Sequence, residues 1–303
     1  MRVVIPGGSG LIGQALAAEV AAAGGEVVVL SRRPERVKGL PAGARAEAWD
    51  GASAEVLTPI VDGTDAVVHL AGANIAGGRW TETRKRLIRD SRVVSSRAVA
   101  EAISAAAAKP RVLVQASAVG YYGDGGDQVV TEERPPADDF LGRVCHQWEE
   151  ASRGVEEVGV RRVVIRTGVV LSTAGGALPK MMTPFKLFAG GPVGNGRQWF
   201  PWIHVADEAG AIRFLIERED ASGPFNLTAP NPLTNAELSK TLGKVLRRPA
   251  LLPAPVFALR LAFGEMAAIL LEGQRAVPRR LEALGYSFRF PDAEGALRDL
   301  LGD

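Results

Sequence analysis

Ile5-Pro6-Gly7-Gly8-Ser9-Gly10-Leu11-Ile12-Gly13 follows directly on the apolar run Arg2 to Ile5 and leads into a helix-forming segment, Gly13 to Ala23. Glycines at 7, 10 and 13 give the spacing GxxGxxG at a strand-to-helix junction. Glycine permits the sharp turn there and lets another group come close to the backbone. The first helical residues, Leu11, Ile12 and Gly13, then offer free N–H groups and the positive end of a helix dipole to an anion such as a pyrophosphate. A glycine-rich turn also serves as a plain tight connection, so its meaning depends on what surrounds it.

What surrounds it is a repeating pattern. Apolar runs recur at Glu26 to Leu30, Ala66 to Leu70, Val112 to Ala116 and Arg162 to Ile165. They are continuous rather than alternating, as expected of strands buried on both faces of a parallel sheet. Helix-length segments lie between them: Gly13 to Ala23, Thr81 to Ala108 and Asp138 to Val158. Strand and helix alternate, which predicts an α/β protein with a Rossmann-like doubly wound parallel sheet and helices on both faces. In that setting the glycine turn is a dinucleotide-binding turn.

The second strand ends in Ser31-Arg32-Arg33. An NAD-preferring fold presents an acidic side chain at this place, to the ribose 2′-hydroxyl. Two guanidinium forks and a hydroxyl match a 2′-phosphate instead, so NADP(H) is the expected cofactor. The competing reading is a solvated basic turn.

After Leu171 the texture changes. Gly175-Gly176, Pro179, Pro184, Gly190-Gly191-Pro192, Gly194 and Gly196 break the chain before the aromatic stretch Trp199 to Trp202. Residues 171–204 therefore read as a loop-rich segment lining a cleft. A helical pattern returns from Val205 to Glu217, Pro224 to Thr228 suits a strand, and Asn235 to Val245 reads as a capped helix. The expected division is a nucleotide-binding domain over 1–228 and a smaller C-terminal substrate lobe over 229–303.

Composition bounds the rest. The 303 residues are 47% hydrophobic, 23% charged and 6% aromatic, a globular composition that excludes long disorder and collagen-like repeats. With 36 Lys+Arg against 34 Asp+Glu, the formal net charge of +2 argues against nucleic-acid binding through bulk charge. Cys145, the single cysteine, cannot form an intramolecular disulfide. His69, His146 and His204 lack metal-ligand spacing, so no metal is expected. Leu251 to Leu271 carries Pro253, Pro255, Arg260 and Glu265, which makes it a buried or amphipathic helix rather than a membrane span. The N-terminus runs straight into the first strand with no room for a signal sequence, so the expectation is a cytoplasmic protein, monomer or homodimer, with no membrane partner.

With these residues in view, the chain resembles the extended short-chain dehydrogenase/reductase superfamily of sugar-nucleotide epimerase type. More narrowly it is similar to the atypical epimerase family proteins of the SDR39U type, which end in a domain of unknown function. The likeness rests on GxxGxxG, Leu70-Ala71-Gly72-Ala73-Asn74-Ile75, Arg79-Trp80, Asp90-Ser91-Arg92, Ser117 to Gly123, Trp148-Glu149, Arg166 to Leu171, Phe200 to His204 and Leu271 to Gln274. These blocks span nearly the whole chain. The resemblance implies that Leu70, Ala71 and Gly72 pack on the cofactor's ribose and pyrophosphate. It likewise implies that Asp50 touches the adenine, that Val170 lies against the nicotinamide, and that Arg92 holds a position facing the cofactor. An arginine at that position reaches a phosphate or a substrate acid, or else makes an ordinary salt bridge on the helix surface.

Short-chain reductases use Tyr-x-x-x-Lys, in which the lysine lowers the phenol pKa for proton exchange. The best register here puts Leu141 at the tyrosine and Cys145 at the lysine, so both are lost. By resemblance Ser117 is the substrate-orienting serine, and Tyr121 or Tyr122 offers a phenol, although one without a lysine partner is a poor acid near neutrality. Arg197, Trp199 and His204 are candidates for the substrate side. Against this, His204 also reads as a hydrogen-bonded structural residue, and the Arg197 to Trp199 stretch as a loop packed on the core. Two functions follow: an NADP(H)-dependent oxidoreductase or epimerase-like protein acting on a small oxygenated molecule, or an NADPH-sensing regulator acting through a protein partner. The second is suggested by cell-division-inhibitor names within the subgroup.

Overall fold

The computed structural model describes residues 1–302. In chain order it forms β1 (Arg2–Pro6), α1 (Leu11–Ala22), β2 (Glu26–Ser31), β3 (Ala44–Ala48), α2 (Ala54–Val61), β4 (Ala66–His69), α3 (Glu82–Ala105) and β5 (Val112–Ala118). There follow β6 (Val129–Val130), α4 (Phe140–Glu150), β7 (Arg161–Thr167), β8 (Val169–Leu171), α5 (Leu178–Lys186), β9 (Trp199–Phe200), β10 (Trp202–His204), α6 (Val205–Glu217) and β11 (Gly223–Leu227). The C-terminal part adds β12 (Leu233–Thr234), α7 (Asn235–Leu246), α8 (Val256–Phe263), α9 (Ala268–Leu271), β13 (Arg275–Ala276), α10 (Arg279–Ala283) and α11 (Ala293–Leu301).

Seven strands pair in the order β11-β7-β5-β4-β1-β2-β3, every pair parallel. From β1 the chain winds outward through β2 and β3, then returns to the other side of β1 at β4. That reversal, the β1–β4 gap, is where a doubly wound sheet leaves a crevice at its carboxyl edge. Val3, Ile5, Val27 and Val29 bury one face against α1 and α6, and Val4, Val28, Val67 and Leu113 bury the other against α2 and α3. Apolar side chains on both faces explain why the strand segments are unbroken rather than alternating.

The five strands expected from apolar runs all form, each within two residues of its expected bounds. β3 escaped because Ala44-Arg45-Ala46-Glu47-Ala48 is an edge strand with half-exposed, partly charged side chains. Two segments differ from expectation. The loop-rich stretch contains α5 in spite of Pro184 within it. Leu251 to Leu271 is not one helix: it breaks at Gly264, whose φ of +60° suits glycine, and no residue of α8 is buried. The capped helix after Thr234 is present, with a reciprocal capping box between Thr234 and Glu237.

Candidate functional site

The glycine turn closes onto the end of β4. Gly7 has φ +82°, and a Cβ there would stand 2.6 Å from the Ala71 backbone nitrogen, so only glycine lets the β1 and β4 ends touch. A Cβ on Gly13 would stand 2.4 Å from Gly8 Cα, which fixes α1 against the turn. Gly10 is different. It is the N-cap of α1, has φ −78°, and a Cβ there would meet only Gly7 O at 3.4 Å. The fold would accept a side chain at 10; glycine instead keeps clear the space before a helix whose first turn has no side-chain cap and no acidic residue. That is the shape a pyrophosphate requires.

At the end of β2, Ser31 Oγ accepts from the Arg33 N–H at 3.2 Å. Arg32 and Arg33 are exposed, and among the described residues neither makes an ion pair. Asp50 is also exposed, and its Oδ1 accepts from the Ala52 and Ser53 N–H groups at 2.8 and 2.9 Å, which holds its carboxyl below the usual range. Asp50 thus shapes the entry to α2. Val170 lies in β8 beside Ile203 of β10. Leu70 and Gly72 follow β4, and Gly72 packs on Arg92, whose Cζ would be 3.2 Å from a Cβ there.

The end of β5 carries the expected hydroxyls. Ser117 faces the α3–α4 side, next to Arg166 in register on β7. Its Oγ donates to Glu149 Oε1 at 2.6 Å, and Glu149 grips Arg166 through Nε–Oε1 and Nη2–Oε2 contacts of 2.9 Å each. Arg166 Nη1 also donates to Tyr122 Oη at 3.0 Å, while Tyr122 donates to Asn226 Oδ1 at 2.6 Å. Tyr122 is therefore fully committed, and burial pushes its phenol up to about 12. Burial also raises the Tyr121 phenol, partly offset by Arg166, whose Cζ lies 3.6 Å from the ring centroid. Burial opposes the Arg166 charge, but Glu149 outweighs it and holds the guanidinium ionised.

The register of the lost relay is visible in space. A Cβ on Gly120 would stand 3.4 Å from Leu141 Cβ and 4.0 Å from Cys145 Sγ, so both residues face the turn after β5. Cys145 is buried, within hydrogen-bonding reach of Ser117, and burial with nearby Glu149 pushes its thiol up to about 12. A thiol in that state is a poor proton donor and nucleophile.

The residues expected on the substrate side make contacts of their own. His204 caps α6, its Nδ1 accepting from Ala206 N–H at 3.0 Å. Its ring packs 4.0 Å from Phe290, and its Nε2 lies 3.2 Å from Asp299 Oδ2. Neighbouring Asp207 accepts from the backbone N–H groups of Arg289 and Phe290 at 2.7 and 2.9 Å, tying the C-terminal segment to α6. Trp199 Nε1 donates to Asp127 at 3.1 Å and its ring faces Arg275; Arg197 is exposed. The Glu149–Arg166 pair was not foreseen, because the partners lie on different elements, α4 and β7, 17 positions apart. Among the described residues there is no cluster of three or more metal-ligating side chains, and no helix long and apolar enough to cross a membrane.

A doubly wound sheet whose glycine turn opens an uncapped helix at the β1–β4 crevice defines a dinucleotide-binding protein. The chain belongs to the NAD dependent epimerase/dehydratase family, whose model matches residues 3–228; a second model, a domain of unknown function (DUF1731), matches residues 254–300. It is 40% identical over 304 residues to the epimerase family protein YfhF of Bacillus subtilis, covering 100% of this chain and 99% of that one. It is 39% identical over 305 residues to the human epimerase family protein SDR39U1, covering 99% and 100%. The crystal structure of human SDR39U1 (isoform 2) with NADPH superposes with a TM-score of 0.89 at 38% identity, covering 99% of each chain. A nucleoside-diphosphate sugar epimerase from Corynebacterium glutamicum gives 0.78 at 36% identity; this chain spans 58% of its length.

Proposed function

We propose that this protein binds NADPH along the carboxyl edge of its sheet and uses it to oxidise or reduce a small oxygenated substrate. The observation that carries the cofactor choice is the exposed Arg32–Arg33 pair at the end of β2, with no carboxylate partner among the described residues and with the Ser31 hydroxyl beside it. Two forked cations without a counter-ion suit the dianionic 2′-phosphate and give a 2′-hydroxyl no acidic acceptor. The bound dinucleotide would supply or take up the hydride; the chain's task is to hold the substrate oxygen and move its proton.

For that task Ser117 is the best-placed hydroxyl. Because its proton points to Glu149, its lone pairs are free to accept from a substrate hydroxyl. As hydride leaves the substrate carbon, the hydroxyl proton passes to Ser117 Oγ and the Ser117 proton passes to Glu149 Oε1; reduction runs the same path backwards. Arg166 keeps Glu149 oriented for this transfer, while Tyr122 is too tightly bound to take part. A second reading, an NADPH-dependent regulator acting through a protein partner, draws support from the loss of both relay side chains at Leu141 and Cys145.

The test is NADPH oxidation with a panel of aldehydes and ketones, comparing wild type with Ser117→Ala and Tyr122→Phe, each checked for folding. Turnover that falls with Ser117→Ala supports the relay. Turnover indifferent to Ser117→Ala contradicts it, and an NADPH-dependent stoichiometric complex without turnover favours the regulator.

A further inference from the structure

α3 carries Arg84, Ile88 and Arg92 four residues apart, which puts them on one face of the helix. Ile88 is buried in a cluster with Trp80, Val144 and Met266. Arg92 is enclosed between the Trp148 ring, 4.9 Å from its Cζ, and the Gly72 backbone. Only its Nη1 is used, donating to Ile88 O at 2.9 Å and Ala73 O at 3.1 Å. Arg84 donates from Nη2 to Asn74 O, and its Nε is buried with no acceptor. Elsewhere on α3, Lys85 pairs with Glu82 and Glu265 and Arg89 with Asp90, while Arg86 and Arg97 are exposed to solvent; among the described residues Arg84 and Arg92 are the half-buried cations of α3 that pair with no carboxylate.

Two guanidinium groups on one face, one of them enclosed, repel each other and lack a counter-ion. Burial and, less, Arg84 both weaken the charged form of Arg92. A half-buried charge with no counter-ion is unfavourable, so this arrangement suits an anion. Gly72 and Ala73, which Arg92 touches, follow β4 at the carboxyl edge of the sheet, and Trp148, on which it stacks, precedes the Ser117 partner Glu149 on α4, which places Arg92 beside the proposed reaction edge. The cofactor's own phosphates already have the α1 N-terminus and the Arg32–Arg33 pair.

We infer that Arg92, assisted by Arg84, anchors an acidic group of the substrate, a carboxylate or a phosphate, so that the substrate class is small oxygenated acids rather than neutral carbonyl compounds. This rests on the reading of the crevice as an NADPH-dependent site and goes one step past it.

The experiment is calorimetric titration of the protein with malonate and, separately, with inorganic phosphate, each with and without saturating NADPH. Arg92→Gln, Arg92→Lys and Arg84→Gln are compared with wild type. The expected result is saturable binding of one anion to the NADPH-saturated protein, weakened at least tenfold by Arg92→Gln and less by Arg92→Lys. Malonate as the ligand assigns a carboxylate; phosphate assigns a phosphate. No binding of either anion to wild type overturns the inference, and so does an NADPH affinity that falls tenfold in Arg92→Gln with anion binding untouched. Should Arg92→Gln fail to fold, Arg84→Gln and Arg92→Lys carry the same comparison. Failure of NADPH to bind wild type speaks against the cofactor reading alone, since the titrations without NADPH still report on Arg92.

Discussion

Glu149 and Arg166 meet through two parallel N–H···O contacts of 2.9 Å inside the protein, and every polar group at the end of β5 takes its position from that pair. Their side chains are only 9% and 5% exposed, so solvent screens them little. Removing one partner strands a buried charge. Glu149→Gln or Arg166→Met should lower unfolding stability by about 3–5 kcal/mol. Removing both together should cost less than the sum of the single changes. Urea denaturation of the three variants decides it; strictly additive losses would mean that the two residues act independently.

The glycines of the first turn separate into two kinds, and the separation is measurable. Gly13→Ala drives a methyl into Gly8 and should destabilise the fold by about 1–3 kcal/mol. Gly10→Ala meets nothing closer than 3.4 Å and should cost only about 0.5–1 kcal/mol, the loss from a poorer N-cap residue. It should nevertheless weaken NADPH binding at least tenfold, because the methyl stands where the pyrophosphate would approach. Thermal unfolding and NADPH titration on the same two variants test this, and a Gly10→Ala protein with wild-type affinity would remove the turn from the binding site.

Cys145 provides a kinetic check on the lost relay. With its thiol at about 12 and the side chain buried, it should not react with a chromogenic thiol reagent at pH 8 in the folded protein. Labelling should follow unfolding, rising with urea in step with the loss of structure. Rapid stoichiometric labelling without denaturant would show an accessible thiolate and reopen a chemical role for Cys145.

Two buried groups set opposite pH dependences on stability. Glu208 on α6 is buried, with Thr167 Oγ1 its only donor among the described residues, at 2.8 Å, and burial pushes its carboxyl up to about 8 from 4.5. The folded state then holds a proton that the unfolded chain has released, so stability falls as pH rises from about 4.5 to about 8. His69 is pushed by burial down to about 3 from 6.5, which makes stability fall as pH drops from about 6.5 to about 3. The two slopes oppose each other between about 4.5 and 6.5, and each is limited to about 1.4 kcal/mol per pH unit. Glu208→Gln should therefore flatten the alkaline limb between pH 6.5 and 8 and leave the acid limb in place. Melting temperatures across that range provide the reading, and an unchanged alkaline limb would assign it to another group.

The legible part of this protein was the part governed by local chemistry. Continuous valine and isoleucine runs marked the strands buried on both faces, and the glycine spacing marked the turn between β1 and α1. β3 was not legible, since an edge strand of alternating alanine and charge carries little apolar signal. Leu251 to Leu271 read as one helix because its hydropathy is continuous, yet Gly264 breaks it. At the site, Ser117 could be placed by likeness, but the choice between Tyr121 and Tyr122 could not. It depends on Asn226 and Arg166, which are 104 and 44 residues from Tyr122 and arrive only through strand pairing. His204 shows the reverse case: a histidine in an aromatic stretch suggests chemistry, and the fold uses it to cap a helix.

The central claim is that the first turn and the arginines after β2 make an NADPH site, and paired calorimetric titrations of wild type and Arg32→Glu with NADPH and NADH test it most directly. The account predicts tight NADPH binding and much weaker NADH binding by wild type, with the preference abolished in Arg32→Glu. Equal affinity of wild type for the two dinucleotides, or a preference that survives Arg32→Glu, would contradict it.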